Sequence, residues 1–168
     1  MQRFSILSLS LFILLLFVAP VSWAKPEVVL SFKMTPSAGN FNATSTEVKG
    51  FAKMNGTKVI AEGISVPIKS LDAEREGRTK HMNEKYLEMA KYPEAKLIKA
   101  EGENGKGTGI IEIRGIQKPI QGTFKIEKDE LVANFTVKIS DFDIAKVNYL
   151  GLGVKDDVAI MVRVPVKK

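Results

Sequence analysis

From Val28 onward, apolar and polar residues alternate along most of the chain, and the alternation falls into eight runs. "VVLSFKM" (Val28–Met34) sets Val28, Leu30, Phe32 and Met34 on one face. "ATSTEVKGFAKM" (Ala43–Met54) follows a Pro/Gly/Asn turn, and "TKVIAEGISVPIKSL" (Thr57–Leu71) follows Asn55-Gly56, a strong hairpin signal. "KLIKAEG" (Lys96–Gly102) and "TGIIEIRG" (Thr108–Gly115) are divided by the turn "ENGKG". "PIQGTFKIEK" (Pro119–Lys128) aligns Ile120, Phe124 and Ile126, and "ELVANFTVKIS" (Glu130–Ser140) aligns Leu131, Ala133, Phe135, Val137 and Ile139. The last run, "DVAIMVRVPV" (Asp157–Val166), alternates most cleanly, through Val158, Ile160, Val162, Val164 and Val166. Period two with one apolar face predicts strands of a sheet that is wet on one side. Short turns predict antiparallel neighbours. The fold expected is all-β: a closed, eight-stranded antiparallel up-and-down barrel, which leaves no exposed edge. A two-sheet sandwich is the alternative.

One segment departs from this period. "RTKHMNEKYLEMAKYPEA" (Arg78–Ala95) holds the only histidine of the chain. From Thr79 to about Lys91 the residues Met82, Tyr86, Met89 and Ala90 fall at i, i+4, i+7 and i+8, a single helical stripe. Thr79 can cap its start, and Tyr92 before Pro93 ends it. The pattern predicts a short helical segment between the third and fourth strands, its stripe laid across an end of the barrel. Methionines suit an irregular contact of that kind.

Composition changes the picture at the N-terminus. "MQRF", then "SILSLSLFILLLFVAPV", then "SWA" is the basic start, apolar core and small-residue end of a signal peptide, Met1–Ala24, cleaved before Lys25. The apolar run is short for a spanning helix, and Pro20 interrupts its end. An exported protein, periplasmic or secreted, is therefore expected, with one domain over residues 25–168. The absence of cysteine removes thiol catalysis, thiolate metal sites and disulfides together. The formal net charge is +6, one unit of it from Arg3 in the leader. The lysines stand singly along the strands (Lys33, Lys49, Lys53, Lys58, Lys125, Lys138), as a solubility device would. A transient contact with an anionic membrane surface is compatible with that charge. Nucleic acid is not expected, since no basic–aromatic cluster is present.

Candidate chemistry is sparse. His81 and Glu84 share a helical face, but two ligands are too few for zinc and no second histidine exists. No G-x-S-x-G elbow accompanies His81, and "GENGKGTG" lacks phosphate-loop spacing. No catalytic residue, metal or cofactor is expected. The inward rows include Gly50, Ala52, Ala61, Gly63, Gly122 and Ala133. Small residues there mark either barrel corners or room for a guest. Arg78 and His81, one helical turn apart, suit an anionic headgroup; alternatively Arg78 pairs with a carboxylate such as Asp72 and fastens the segment.

"SLDAEREGRTKHM", "KYPEAKL", "GIIEIRGIQKPI", "ISDFDI" and "VKDDVAIMVRV" occur in the order seen in the YceI-like family, the periplasmic polyisoprenoid-binding proteins of the lipocalin-like barrel class. The resemblance spans about Val28 to Val166. In that family the arginine is commonly followed by an acid and then, one residue on, by histidine; here Thr79 stands in place of the acid. The resemblance implies a lipocalin-like barrel around a long apolar tunnel. It further implies an exported, non-catalytic carrier of an isoprenoid chain, a quinone tail or a fatty-acid-like amphiphile. The expected wall is Phe32, Ile64, Val66, Phe124, Phe135, Val137 and Ile160, subject to register, because a one-residue slip exchanges inside for outside. The expected mouth is Arg78, His81, Tyr86 and Tyr149, under the helical cap. A homodimer joined at the mouth is compatible, though no residue requires it. Two other readings fit the same residues: a filled barrel acting as an interaction module, and a small-molecule enzyme using His81.

Overall fold

The computed structural model describes residues 25–35 and 39–167, so the expected signal peptide Met1–Ala24 lies outside the described residues. The alternating runs form β1 (Glu27–Thr35), β2 (Asn40–Ser45), β3 (Ala52–Asn55), β4 (Lys58–Pro67), β5 (Glu94–Glu103), β6 (Lys106–Ile113), β7 (Ile116–Glu127), β8 (Glu130–Lys138), β9 (Asn148–Tyr149), β10 (Leu152–Val154) and β11 (Asp157–Lys167). Helix α1 (Glu76–Lys80) continues as a π-helix, His81–Tyr86, between β4 and β5.

Strands β3, β4, β5, β6, β7, β8 and β11 follow one another around a ring. The ring closes where Val166 and Lys167 of β11 pair in parallel with Ala52 and Lys53 of β3. The barrel is thus a closed ring of seven strands with β1, β2, β9 and β10 added, rather than an eight-stranded up-and-down barrel. The β1–β2 hairpin joins through β1, which pairs with Ala159–Arg163 of β11. The helical segment, expected between a third and a fourth strand, accordingly follows the fourth.

The miscount has a local cause. The run Ala43–Met54 breaks in two between Ser45 and Ala52. Ser45 Oγ accepts the Glu47 N–H at 3.0 Å and shares a 2.6 Å hydrogen bond with Ser70 Oγ, so a side chain replaces the ladder there. Gly50 then adopts φ +102°, and a Cβ at that position would meet Ile64 Cα at 3.0 Å. Two bridges, Thr44–Asp72 and Lys49–Ser65, hold the broken segment alongside β4.

Inward positions are apolar throughout: Val59, Ala61 and Ile64 of β4, Leu131 and Val137 of β8, and Val158, Ile160, Val164 and Val166 of β11 belong to one buried cluster. Outward positions such as Lys99, Thr108, Gln121, Thr136 and Lys138 are polar. That is the reverse of a membrane-spanning barrel, whose outer face is apolar. Register also separates two ends. The β3–β4, β5–β6 and β7–β8 hairpin tips and the end of β11 lie together at one, the tip end. The helical segment, the β6–β7 turn and the β8–β9 connection lie at the other, the cap end.

Two substitutions test this backbone. Leu150 sits in the β9–β10 turn at φ +52° with 82% of its surface exposed, so it carries left-handed strain and buries little in return. Leu150→Asn is expected to stabilise by about 1 kcal/mol, read as a rise in Tm of several degrees. Gly122 of β7 faces Asn134 O and Phe135 Cβ of β8, the latter 2.9 Å from where a Cβ would lie. Gly122→Ala is expected to cost about 1–3 kcal/mol in urea unfolding, because a paired backbone must shift.

Candidate functional site

The cap end is packed shut. Ile68, Leu71, Phe142 and Ile144 are buried there, and Met82, Tyr86, Leu87 and Met89 pack against the cluster they belong to. The helix starts at Glu76, earlier than Thr79, and the expected stripe is realised only in part. From His81 the backbone widens to π-helical bonding, with Leu87 N donating to Met82 O at 2.9 Å. Glu88 then turns to φ +49° and ends the element, which leaves Ala90 exposed.

Polar contacts lock this plug. Buried Asn83 donates from Nδ2 to Leu71 O at 3.0 Å. Thr79 Oγ1 accepts the Ala73 N–H at 2.9 Å and donates to Asp72 Oδ1 at 3.1 Å, taking the carboxylate that Arg78 was a candidate to hold. Arg78 instead donates to Ala73 O at 3.2 Å, approaches Glu74 at 3.5 Å, and lies 4.1 Å over the Phe41 ring. The Tyr86 hydroxyl donates to Asn148 O at 2.9 Å and accepts Asn148 N–H at 3.1 Å. From the β6–β7 turn, Arg114 donates to Phe142 O at 3.0 Å and to Glu88 Oε2 at 2.8 Å. The hydrogen bond from Arg114 holds the Glu88 carboxyl below its usual range, against the opposing effect of desolvation.

Inside the ring lies an apolar cavity of about 150 Å³. Ile64, Val66, Phe124, Phe135 and Ile160 are on its wall. Phe32 and Val137 are not. Phe32 stacks on Phe41, centroids 4.8 Å apart, in contact with a second small cluster of Met34, Phe41, Ala43 and Ala73. Val137 is buried in the main cluster beyond the cavity wall. The wall also includes Ala61, Ala100, Leu131, Ala133 and Val162. These share the inward rows already legible in the alternation; only closure of the ring shows which of them face empty space.

The cavity runs from Leu71 and Ile113 near the plug to Gly102, Gly107 and Phe124 near the tips. The Phe124 ring lies against Gly102, and a Cβ on Gly107 would come within 3.7 Å of it, so the β5–β6 hairpin makes room for the ring by lacking side chains. One step further out, the inward-facing Met54 and Ile126 are 38% and 42% exposed. Of the two ends of the cavity, the tip end is the less covered. Arg78, His81 and Tyr86 are not on the cavity wall; His81 is exposed at the start of the π-helix. Tyr149 is in β9, and its side chain lies outside the described residues. Among the described residues no three His, Cys, Asp or Glu side chains gather as a metal site.

Comparison with known proteins follows this geometry. Burkholderia cenocepacia BcnA has a similar fold, with TM-score 0.59 at 13% identity over 81% of this chain and 94% of that one. A polyisoprenoid binding domain from Saccharophagus degradans matches with TM-score 0.58 at 10% identity, over 82% and 91%. The Campylobacter jejuni YceI protein matches with TM-score 0.53 at 20% identity, over 75% and 85%. No curated protein sequence gives a significant match. The family model for the YceI-like domain matches residues 23–166. Barrel, covered end and sequence pattern converge: this chain belongs to the YceI-like family.

Proposed function

We propose that this protein is an exported carrier that holds the hydrocarbon chain of an isoprenoid, or of a similar long amphiphile, inside the barrel without transforming it. The observation that carries this reading is the cavity, lined mainly by aliphatic and aromatic residues and reaching from Leu71 near the plug to Phe124 near the hairpin tips. The similarity to a solved polyisoprenoid binding domain supports it. Export is supported by the signal-peptide pattern, Met1–Ala24, which precedes nearly all of the family match over residues 23–166.

Binding follows from burial alone. A methylene removed from water contributes about 0.8 kcal/mol, so one five-carbon prenyl unit contributes roughly 3–4 kcal/mol before ordering costs. The wall is mainly apolar, with Lys96 and Glu101 its ionisable members, so the hydrocarbon chain and not a headgroup is what the cavity suits. Cavities of about this size accept a benzene-sized guest. A longer chain must therefore displace side chains, with Phe124 the outermost candidate on the wall, or run out at the tip end. Specificity then resides in chain length and in how freely those side chains move. Among the sequence candidates, Ile64, Val66, Phe124, Phe135 and Ile160 are proposed as guest contacts, and Arg78 and Tyr86 as parts of the plug.

Native mass spectrometry of the gently purified mature chain, before and after organic extraction, tests the reading. A discrete extractable adduct is expected. A clean mass that stays unchanged on adding prenyl quinones and fatty acids would sink it, leaving a filled interaction module. The variant Ala133→Phe fills the wall and is expected to lower retention of an added prenol at least about tenfold, while overpacking costs about 1–3 kcal/mol of stability. Retention equal to wild type in the folded variant would place the guest elsewhere.

A further inference from the structure

Lysines that stand singly in the sequence converge at the tip end. Each of the three hairpin tips carries one exposed lysine: Lys58 after the β3–β4 turn, Lys106 after the β5–β6 turn and Lys128 in the β7–β8 turn. None of the three has an ion-pair partner among the described residues. Lys53 and Lys167 face each other across the β3–β11 closure, 5.4 and 3.9 Å over the Phe51 ring. Lys125 also lies there and is paired with Glu127 at 2.5 Å. The carboxylates of this end are partly engaged: Glu130 holds Arg163 at 3.0 Å and Glu103 accepts the Thr57 hydroxyl, with Asp129 beside Lys128 in the turn. Within this cationic rim the inward-facing Met54 and Ile126 are partly exposed, on strands far apart around the ring.

The β7–β8 turn adds an independent observation. Lys128 and Asp129 both adopt left-handed backbone, φ +49° and +66°, where the β5–β6 turn uses Asn104-Gly105. Asn-Gly suits such a turn without strain; a lysine there costs stability and projects a charge at the outermost point of the rim.

We propose that the tip end of the barrel is a membrane-docking face: Lys58, Lys106 and Lys128 engage the anionic headgroups of a bilayer, while Met54 and Ile126 rest among them and set the less covered end of the cavity against lipid. The face rests on the carrier reading for its purpose, transfer of a hydrocarbon chain between bilayer and cavity without passage through water. Each lysine near an anionic surface adds to binding by a screened attraction that fades within a Debye length, so three at one level act together. The contact is peripheral: the apolar rim is small, and no helix among the described residues is long and apolar enough to cross a membrane. The cap end also presents lysines and the exposed Leu150, but there the plug closes the barrel between them and the cavity.

Flotation of the mature chain with vesicles of phosphatidylcholine, with and without phosphatidylglycerol, tests the proposal. Binding is expected only to the vesicles containing phosphatidylglycerol, and it should fall steeply with added salt. Joint reversal of Lys58, Lys106 and Lys128 to Glu should lower it at least about tenfold, and Met54→Ser with Ile126→Ser should lower it at equal charge. Reversal of Lys69, Lys80 and Lys146 at the cap end should leave it unchanged. Absence of flotation, salt-independent binding to both vesicle types, or equal loss from cap-end reversal overturns the proposal. Melting temperatures show that each variant is folded. Native mass of the same samples loaded with geranylgeraniol separates the two readings. Retention without flotation overturns the docking face and leaves the carrier, whereas flotation without retention overturns the carrier and leaves the docking face.

Discussion

Closure of the sheet is the constraint on which everything else depends. Two residue pairs, Ala52 with Val166 and Lys53 with Lys167, join the first strand of the ring to the last in parallel. The chain has no cysteine, so no covalent staple holds that seam. It is held by backbone pairing and by the apolar rows that closure buries, with Ala52 wholly inaccessible and Val166 nearly so. The exposed amphiphilic ribbon that an open sheet would present becomes an inside and an outside. The cavity is a property of that inside.

The two ends of the barrel have opposite physics. At the cap end, irregular backbone does what regular strands do not: a π-helix, several left-handed residues and the Arg114 guanidinium fit a plug across the opening. Its hydrogen bonds run mostly between side chains and main-chain carbonyls, which fixes one arrangement of packed residues rather than a charged pocket. At the tip end the hairpins simply stop. Their inward rows run out into solvent, and glycines of the β5–β6 hairpin leave space beside Phe124. Asymmetry of this kind leaves the cavity firmly covered at one end and less covered at the other.

The interior is under-filled by the choice of residue at a few inward positions. Ala61, Ala100 and Ala133 stand on the cavity wall where larger side chains would fill space. Interiors normally pack to crystal-like density, and unfilled apolar space forfeits dispersion contacts. A barrel that keeps such space is stabilised by its ladder and by the tight plug, and an apolar guest that enters completes the packing.

Alternation along the chain determined strand identity, the inward rows and the all-β class, because the two-residue period is a local consequence of backbone geometry. Within those rows, Ile64, Val66, Phe124, Phe135 and Ile160 are on the cavity wall. Phe32 shares the same period, yet it stacks on Phe41 beside a second cluster, since β1 lies outside the closed ring. The break at Ser45 was illegible because it depends on Ser70, 25 residues away, and on the approach of Gly50 to Ile64. The helical stripe announced that something covers an end of the barrel, but not that the other end is left less covered. That assignment needs the register of every strand at once. The lysines show the same division: each is a separate local choice in sequence, and only antiparallel pairing brings the three hairpin tips to one level around one end of the barrel.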